Sequence, residues 1–594
     1  MEHYIEPAEQ SSKVNEQLQA MTPDSIDPES IKVLDPAVGS GHILIEAYNV
    51  LKAIYEERGF RSREIPQKIL ENNLYGLDID DRAAQLSGFA LMMLARADDK
   101  RIFTRHVSLN VLALQEGNHI NLPAVWRELN LSGGWDNGTS QDMFADETQD
   151  LSSFEADNRY QLLQRTVARF SQAKTFGSLI EVPADEYNDL KEMHETLIEL
   201  AESGDSFQRP AAKQLSETIH QALILSIRYD AVIANPPYMG GKGMNSELKK
   251  FAKKKYPHSK SDLFAMFMER GFSLLTEHGF NAQINMQSWM FLSSYEKLRE
   301  SLLAERTIIT MAHLGARAFS QISGEIVQTT AWIIRNKSIQ SYQPTFYRLL
   351  DGNEEDKKQA LLHRKFQYEH LIQEEFKKIP GSPFVYWQEQ KFYNIYDESK
   401  QLTEFFEPRV GLDTGNNDEF IRFWHEVNFS EIKFFATSKQ DVFSSGGKYV
   451  PHTKGGEFRK WYGNFDWVIK FDEDSYSKLS KSGNNLPSRK FYFLEGASWS
   501  RIGTSGFSLR YNDVGFVFNS ACPTVFSEKG DSIEIPLALL NSSLSDHFLG
   551  AISPTINYQA GEVRKFPYIV ADYSCIISLV SKAIEISKKR LGFV

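Results

Sequence analysis

The chain has 594 residues, with 66 Lys plus Arg against 78 Asp plus Glu, and so carries a formal net charge of −12. Hydrophobic residues make up 41% and charged residues 24%, ordinary proportions for a folded chain, which excludes disorder over most of its length. At about 150 residues per domain, two to four domains are expected.

No apolar run approaches the roughly 18 residues of a membrane span. The opening MEHYIEPAEQ lacks the basic-then-apolar order of a signal peptide. Two cysteines, Cys522 and Cys575, are too few for a disulfide framework or a structural zinc cluster. A cytoplasmic chain without membrane or metal partners is the expectation. The acidic balance argues mildly against nucleic-acid binding, but local patches decide that question. Lys249, Lys250, Lys253, Lys254, Lys255 and Lys260 form one such patch.

In chain order, IKVLD predicts a short buried strand, and HILIEAYNVLKAIYEER a helix with Ile43, Leu44, Ala47, Leu51 and Ile54 on one face. NNLYGLDID predicts a second strand, and DRAAQLSGFALMMLARAD a second, largely buried helix. This alternation implies a parallel sheet covered on both faces. The stretch 132–158 is rich in Gly, Ser and acids and reads as a mobile loop. A charged helical insertion is expected over about 111–228. Strand texture returns at YDAVIAN, then a helix over DLFAMFMERGFSLLTE, then strands FNAQINMQ, TIITMAHL and IVQTTAWIIRN, the last two as an antiparallel edge hairpin. Residues 385–570 are rich in aromatics, Gly, Asn and Ser, with strand-like KFYFLEG and VGFVFNS, and predict a second, α+β domain. An amphipathic C-terminal helix is expected over 571–594.

Three motifs carry chemistry. Asp35-Pro36-Ala37-Val38-Gly39-Ser40-Gly41 joins a strand to a helix; its glycines admit a ligand close to the backbone, and the helix start offers free N–H groups. Neither a phosphate loop nor the full GxGxxG fingerprint is present. Gly76-Leu77-Asp78-Ile79-Asp80 places an acid at the end of the second strand, where it can accept ribose hydroxyls; Asp80 and Asp81 suit helix capping equally well. Asn235-Pro236-Pro237-Tyr238 follows the apolar strand YDAVIA. Two prolines fix the backbone and remove two donors, leaving a rigid set of acceptors with a tyrosine face beside it. Such a site suits a planar substrate bearing an amino group.

The order DPAVGSG, GLDID, NPPY resembles the S-adenosylmethionine-dependent amino-group DNA methyltransferases of the N6-adenine class. Longer strings, among them NNLYGLDIDDRAAQLSGFALMMLARA, FGSLIEVP, RVGLDTGNNDEFIRFWHEV and KGGEFRKWYGN, resemble the PglX-type methyltransferases of bacterial BREX phage-exclusion systems, relatives of type IIG restriction-modification enzymes. The resemblance implies a Rossmann-like methyltransferase domain over 1–345 and a target-recognition domain over 385–570. It implies that Asp35, Pro36, Ala37, Gly39, Ser40 and Gly41 hold S-adenosylmethionine, with Asp78 on the ribose and Ile79 and Phe267 at the adenine. Asn235 and the Pro236 carbonyl would accept the target amino group, Pro237 would stiffen the loop, and Tyr238 would stack on a flipped base, with Phe319 a candidate for its other face. Lys249, Lys250, Lys253 and Lys254 would contact phosphates. Lys454, Arg459, Lys460 and Arg501, interleaved with Trp461 and Trp499, would contact double-stranded DNA. Other phage-defence proteins are implied partners.

Relatives carry a helical region before the first motif, and here that motif begins about thirty residues in. A fragment, a split-gene subunit or a shortened relative is therefore expected. FGSLI, with Gly177 and Ser178, stands near the place of a third motif but lacks its acid. A non-catalytic or split DNA-recognition subunit and a protein glutamine methyltransferase are the alternative readings; no nuclease motif is evident.

Overall fold

The computed structural model describes residues 4–131, 157–319, 327–503, 505–552, 557–569 and 572–591. The chain folds as two compact units, one of Met1–Trp289 with Lys297–Gln373, the other of Met290–Glu296 with Glu374–Val594. Among the described residues no helix is long and apolar enough to cross a membrane, and no group of His, Cys, Asp and Glu could hold a metal ion.

The first unit is built on a mixed sheet of β1 (Val33–Asp35), β2 (Leu74–Asp78), β3 (Asn110–Ala113), β4 (Tyr229–Ala234), β5 (Leu275–Met286), β6 (Thr307–Gly315), β7 (Thr329–Arg335), β8 (Thr345–Arg348) and β9 (Gln367–Tyr368). Their order is β3-β2-β1-β4-β5-β7-β6-β8-β9. β1 is buried at all three residues, which is why VLD shows no alternation. It lies parallel to β2 on one side and to β4 on the other. The strand order therefore reverses at β1, opening a crevice beyond the carboxyl ends of β1 and β4, where open α/β sheets bind ligands.

α1 (His42–Glu57) follows β1 and buries Leu44, Tyr48, Leu51 and Tyr55, a single face at helical spacing. α2 (Asp81–Asp98) follows β2, with the Asp80 side chain capping it through the N–H groups of Arg82 and Ala83. The reading of α2 as largely buried needs correction: Ala84, Ser87, Gly88, Leu91 and Ala95 are buried, while Leu86, Phe89 and Met93 are exposed. Small residues face the sheet because the two layers approach closely there, so hydrophobic content misjudged which face is inside.

The helical insertion expected from 111 starts later, because Asn110–Ala113 pairs with β2 as the edge strand. Helices Leu122–Leu129, Asn158–Arg169, Tyr187–Ser203 and Gln208–Ser226 follow. The stretch read as a mobile loop lies almost wholly outside the described residues. α3 (Ser246–Lys255) and α4 (Leu263–Ser273) precede β5; α4 ends before the predicted Glu277 because Leu275–Glu277 already belong to β5. β6 and β7 pair antiparallel, as their sequence predicts, but they are not the edge: β8 adds to β6 in parallel and β9 to β8.

The second unit holds two four-stranded sheets. One orders Phe406–Arg409, Thr524–Ser527, Gly496–Trp499 and Leu509–Asn512; the other orders Ile421–Phe423, Trp467–Lys470, Tyr449–Thr453 and Val517–Phe518. Their shared core includes Phe471, Tyr492, Phe493, Phe518 and Phe526. KFYFLEG is not a strand: Arg489–Phe491 make a 3-10 turn and Phe493 takes a left-handed conformation, so pairing begins only at Gly496. Its aromatics serve the core without a ladder. In VGFVFNS the strand is Val517–Phe518, and Asn519 adds an isolated bridge to Leu412. The helix Tyr573–Arg590 closes the described chain.

Candidate active site

Asp35 ends β1 almost fully buried, and its Oδ1 accepts the Ala37 N–H at 3.0 Å. Burial foremost, with the charge of Asp78 added, pushes its carboxyl up to about 7 against the pull of that hydrogen bond. The Val38 N–H donates to the Leu77 carbonyl at 3.0 Å and the Gly39 N–H to Asp78 Oδ2 at 2.8 Å, laying the loop onto the end of β2. Asp78 Oδ1 accepts the Asp80 N–H at 2.9 Å. Each carboxylate oxygen keeps a further acceptor site.

Gly41 adopts φ +86°, and a Cβ there would lie 2.5 Å from Ser87 Oγ of α2, so only glycine lets α1 start at the next residue. Gly39 is the opposite case: a Cβ there would meet nothing within 4 Å. Open space thus lies before Gly39, beside half-buried Ser40, the Asp78 carboxylate and the 48%-exposed Ile79. The start of α1 has no side-chain cap, which leaves its first N–H groups to a ligand or to water.

The FGSLI segment completes this wall. Ser178 Oγ donates to the Pro36 carbonyl at 2.6 Å. At Gly177 (φ +55°) a Cβ would lie 2.9 Å from Ile79 Cγ2, so the two residues touch only because this one is glycine. Buried Arg270 of α4 holds the segment from behind, donating to the Ser178 carbonyl at 2.8 Å and to the Ile180 carbonyl at 2.6 Å. No local sequence pattern announces the contact of Ser178 with Pro36, which spans 142 positions. Phe267, also on α4, is buried in a cluster with Leu179 and Met266, and Ala37 packs against that cluster. That cluster backs the loop at Ala37.

Asn235–Tyr238 leave the carboxyl end of β4, the strand beside β1. Pro236 is buried, Asn235 and Pro237 are exposed, and Tyr238 is half-buried. The Tyr238 hydroxyl lies 3.2 Å from Asn235 Oδ1 and 3.3 Å from the Ile284 carbonyl of β5, two acceptors for its single proton. Burial pushes this phenol up to about 12. The ring meets Phe264 of α4 edge-on at 6.1 Å. Asp262, which the sequence reading passed over, accepts the Met239 N–H at 2.9 Å and caps α4, pinning the far side of the loop. Phe319 is half-buried just past β6 and, among the described residues, makes no ring contact with Tyr238.

On α3, Lys249, Lys250, Lys253 and Lys254 are all exposed. Lys250 pairs with Glu247 at 3.1 Å; the other three have no ion pair among the described residues. In the second unit, Lys454 Nζ sits 4.2 Å above the Trp467 ring. Lys460 is half-buried, donates from Nζ to the Asn541 carbonyl at 2.7 Å and keeps two further N–H donors. Trp499, expected on a DNA-contacting loop, is instead fully buried and donates to the Tyr558 carbonyl at 2.8 Å. Arg459 and Arg501 are half-buried, and Arg459 lines a cavity of about 360 Å³ with Arg590.

The sequence pattern of the Eco57I restriction-modification methylases matches residues 72–319. Over 592 residues the chain is 54% identical to the adenine-specific methyltransferase BrxX of Escherichia coli O9:H4 (strain HS), spanning 99% of this chain and 48% of that protein. Over nearly its whole length the chain is similar to adenine-specific methyltransferases of the BrxX/PglX type. The adenine-specific methyltransferase PglX of Lacticaseibacillus casei (strain Zhang) is 37% identical over 580 residues, 94% of this chain and 46% of that one. The chain therefore spans about half the length of the curated BrxX/PglX relatives it matches. Among solved structures, the type IIL restriction-modification enzyme MmeI in complex with DNA aligns at 12% identity with a TM-score of 0.49, over 98% of this chain and 67% of that one.

Proposed function

We propose that this chain carries the cofactor and target-base sites of an S-adenosylmethionine-dependent DNA adenine-N6 methyltransferase that marks host DNA in a BREX-type phage-defence system. The observation that carries the reading is the meeting of three motifs at adjoining strand ends. The Gly39–Asp78 hydrogen bond joins the first two, and Asn235–Tyr238 leave the neighbouring strand on the same side.

The residues present fit the cofactor. Open space before Gly39 accepts a nucleoside, Asp78 retains acceptor capacity for two ribose hydroxyls, and Ile79 offers an exposed apolar face for an adenine ring. S-adenosylmethionine supplies a methyl group on a positively charged sulfur. The chain supplies the geometry. An exocyclic adenine amine is a poor nucleophile because its lone pair is delocalised into the ring. Asn235 Oδ1 and the Pro236 carbonyl, each accepting one N–H, favour a more pyramidal, electron-rich nitrogen and fix its direction. Both prolines keep those acceptors from drifting. The amine is out of reach within a duplex, so the adenine must be flipped out, and Tyr238 offers the stacking face.

Lys249, Lys253 and Lys254 on α3, which make no ion pair among the described residues, supply cations for phosphates shortly after this loop. The second unit serves as the target-recognition domain, with Lys454, Arg459 and Arg501 as candidate contacts to duplex DNA. Other proteins of the same defence system are proposed partners.

The test is a calorimetric titration of the chain with S-adenosylhomocysteine, followed by transfer of labelled methyl from S-adenosylmethionine to bacterial DNA. Micromolar binding lost in Asp78→Ala, with label recovered in N6-methyladenine, supports the reading. Absence of binding, or label in another base, overturns it.

A further inference from the structure

Three amides lie on one face of β5: Asn281, Gln283 and Asn285, each no more than 2% exposed. Their directions follow from the partners at one end. The indole N–H groups of Trp289 and Trp332 lie 3.1 and 3.2 Å from Asn285 Oδ1, and an indole can only donate. Asn285 must therefore turn its Nδ2 toward Gln283 Oε1, 3.4 Å away. Gln283 then presents Nε2 in the other direction, to Asn281 Oδ1 at 3.1 Å and to the Phe267 carbonyl at 2.9 Å. Asn281 Nδ2 ends the series on the Met268 carbonyl at 3.0 Å. The result is a one-way relay of donors from two tryptophans to the backbone of α4.

Apolar side chains would fill this face without the desolvation cost of three buried amides. What the amides add is direction, because a fully satisfied buried network admits one arrangement of its members. The relay reaches the proposed site through α4 at one end and through the backbone of β5 along its length. α4 carries Phe267, whose cluster backs Ala37, and Phe264, whose ring meets Tyr238. Ile284, between two relay residues, offers its carbonyl to the Tyr238 hydroxyl. Gly271 of α4 lets the helix approach, since a Cβ there would lie 2.5 Å from Asn281 Nδ2.

We infer that Asn281, Gln283 and Asn285 are positioning residues that lock α4 to β5 at one spacing, holding the cofactor wall at Phe267 and the target-base wall at Phe264 as a single piece. The inference rests on the proposed function for its consequence, and on the hydrogen bonds alone for its geometry.

The experiment uses the full chain with Gln283→Met, which keeps the side-chain length and removes the relay, and Gln283→Glu, which can donate only when protonated. Two quantities are read: affinity for S-adenosylhomocysteine by calorimetry, and the indole ¹H–¹⁵N resonances of Trp289 and Trp332. The methionine variant is expected to melt in a single transition, to bind about tenfold more weakly, the worth of roughly one buried hydrogen bond, and to shift both indole resonances. The glutamate variant should bind weakly at alkaline pH and recover toward the parent on acidification. A folded methionine variant with the parent's affinity overturns the inference. Should that variant not fold, a glutamate variant whose affinity tracks the parent's at every pH does the same. If the parent itself binds no S-adenosylhomocysteine, the proposed function fails and the resonances judge the relay: both shifting in the methionine variant supports it, neither shifting overturns it.

Discussion

The Gly39 amide donates to the Asp78 carboxylate across 2.8 Å, so one residue both anchors the loop after β1 and stands at the proposed ribose position. Replacing Asp78 removes two functions together. Asp78→Ala is expected to weaken S-adenosylhomocysteine binding by about a hundredfold, taking one charge-assisted hydrogen bond and one loop anchor as a combined loss of roughly 3 kcal/mol. Asp78→Asn, which keeps one acceptor for Gly39, should lose less. Calorimetry on the two variants separates anchor from ligand contact.

Asp35 predicts a pH effect with a definite sign. Burial pushes its folded carboxyl from the ordinary carboxylate range up to about 7, so folding favours the protonated form. Its contribution to stability is full below about pH 4 and is lost as pH rises through about 7. Asp35→Asn should therefore gain stability relative to the parent between pH 5 and 8. A gain on the order of 4 kcal/mol is the ceiling set by the shift. Denaturant unfolding at several pH values checks this; a difference independent of pH contradicts it.

Tyr238 separates stacking from hydrogen bonding. Tyr238→Phe keeps the ring and frees Asn235 Oδ1 and the Ile284 carbonyl, so methyl transfer should stay within a few-fold of the parent. Tyr238→Ala and Asn235→Ala should lose at least about a hundredfold in kcat/KM, comparable to removing a preorganised polar contact, with melting unchanged. Full activity in Asn235→Ala would remove the role assigned to this loop.

Ser178→Ala leaves the buried Pro36 carbonyl without its 2.6 Å donor. A loss of about 1–3 kcal/mol in stability is expected, together with weaker cofactor binding. Ser178→Thr should retain part of both. Thermal melts with and without S-adenosylhomocysteine report the two effects.

Charge reversal on α3 tests the DNA contact. Lys249→Glu, Lys253→Glu and Lys254→Glu together should weaken binding to duplexes of any sequence. They should also flatten the dependence of log K on log salt by up to about one unit per lost phosphate contact. Fluorescence anisotropy at several salt concentrations measures both. An unchanged slope assigns these lysines to solvent.

Much of this was legible locally. The strand-loop-helix of Val33–Glu57 follows from a short buried apolar run, a glycine turn and a helical stripe, all determined within a few residues of themselves. The Asn235–Tyr238 loop is similarly local, because prolines restrict the backbone wherever they stand. Sequence by itself thus determined the order of the motifs, the alternation that makes the sheet and the residue types at its strand ends. Tertiary structure decided what those residues touch. Gly39 meets Asp78 across 39 positions, and Ser178 meets Pro36 across 142, contacts set by strand order and chain reversal. The same holds for side chains of the second unit. Trp499 stands beside Arg501 in a basic, aromatic stretch of sequence, yet the sheet buries it fully, and Lys460 meets the carbonyl of Asn541, 81 residues away. The amides of β5 alternate along a strand in plain sight, yet only the two tryptophans brought beside Asn285 by the fold give them a direction. Local patterns fix conformation because steric limits act between neighbours, whereas hydrogen-bond partners and burial depend on which distant segments the packed sheet brings together.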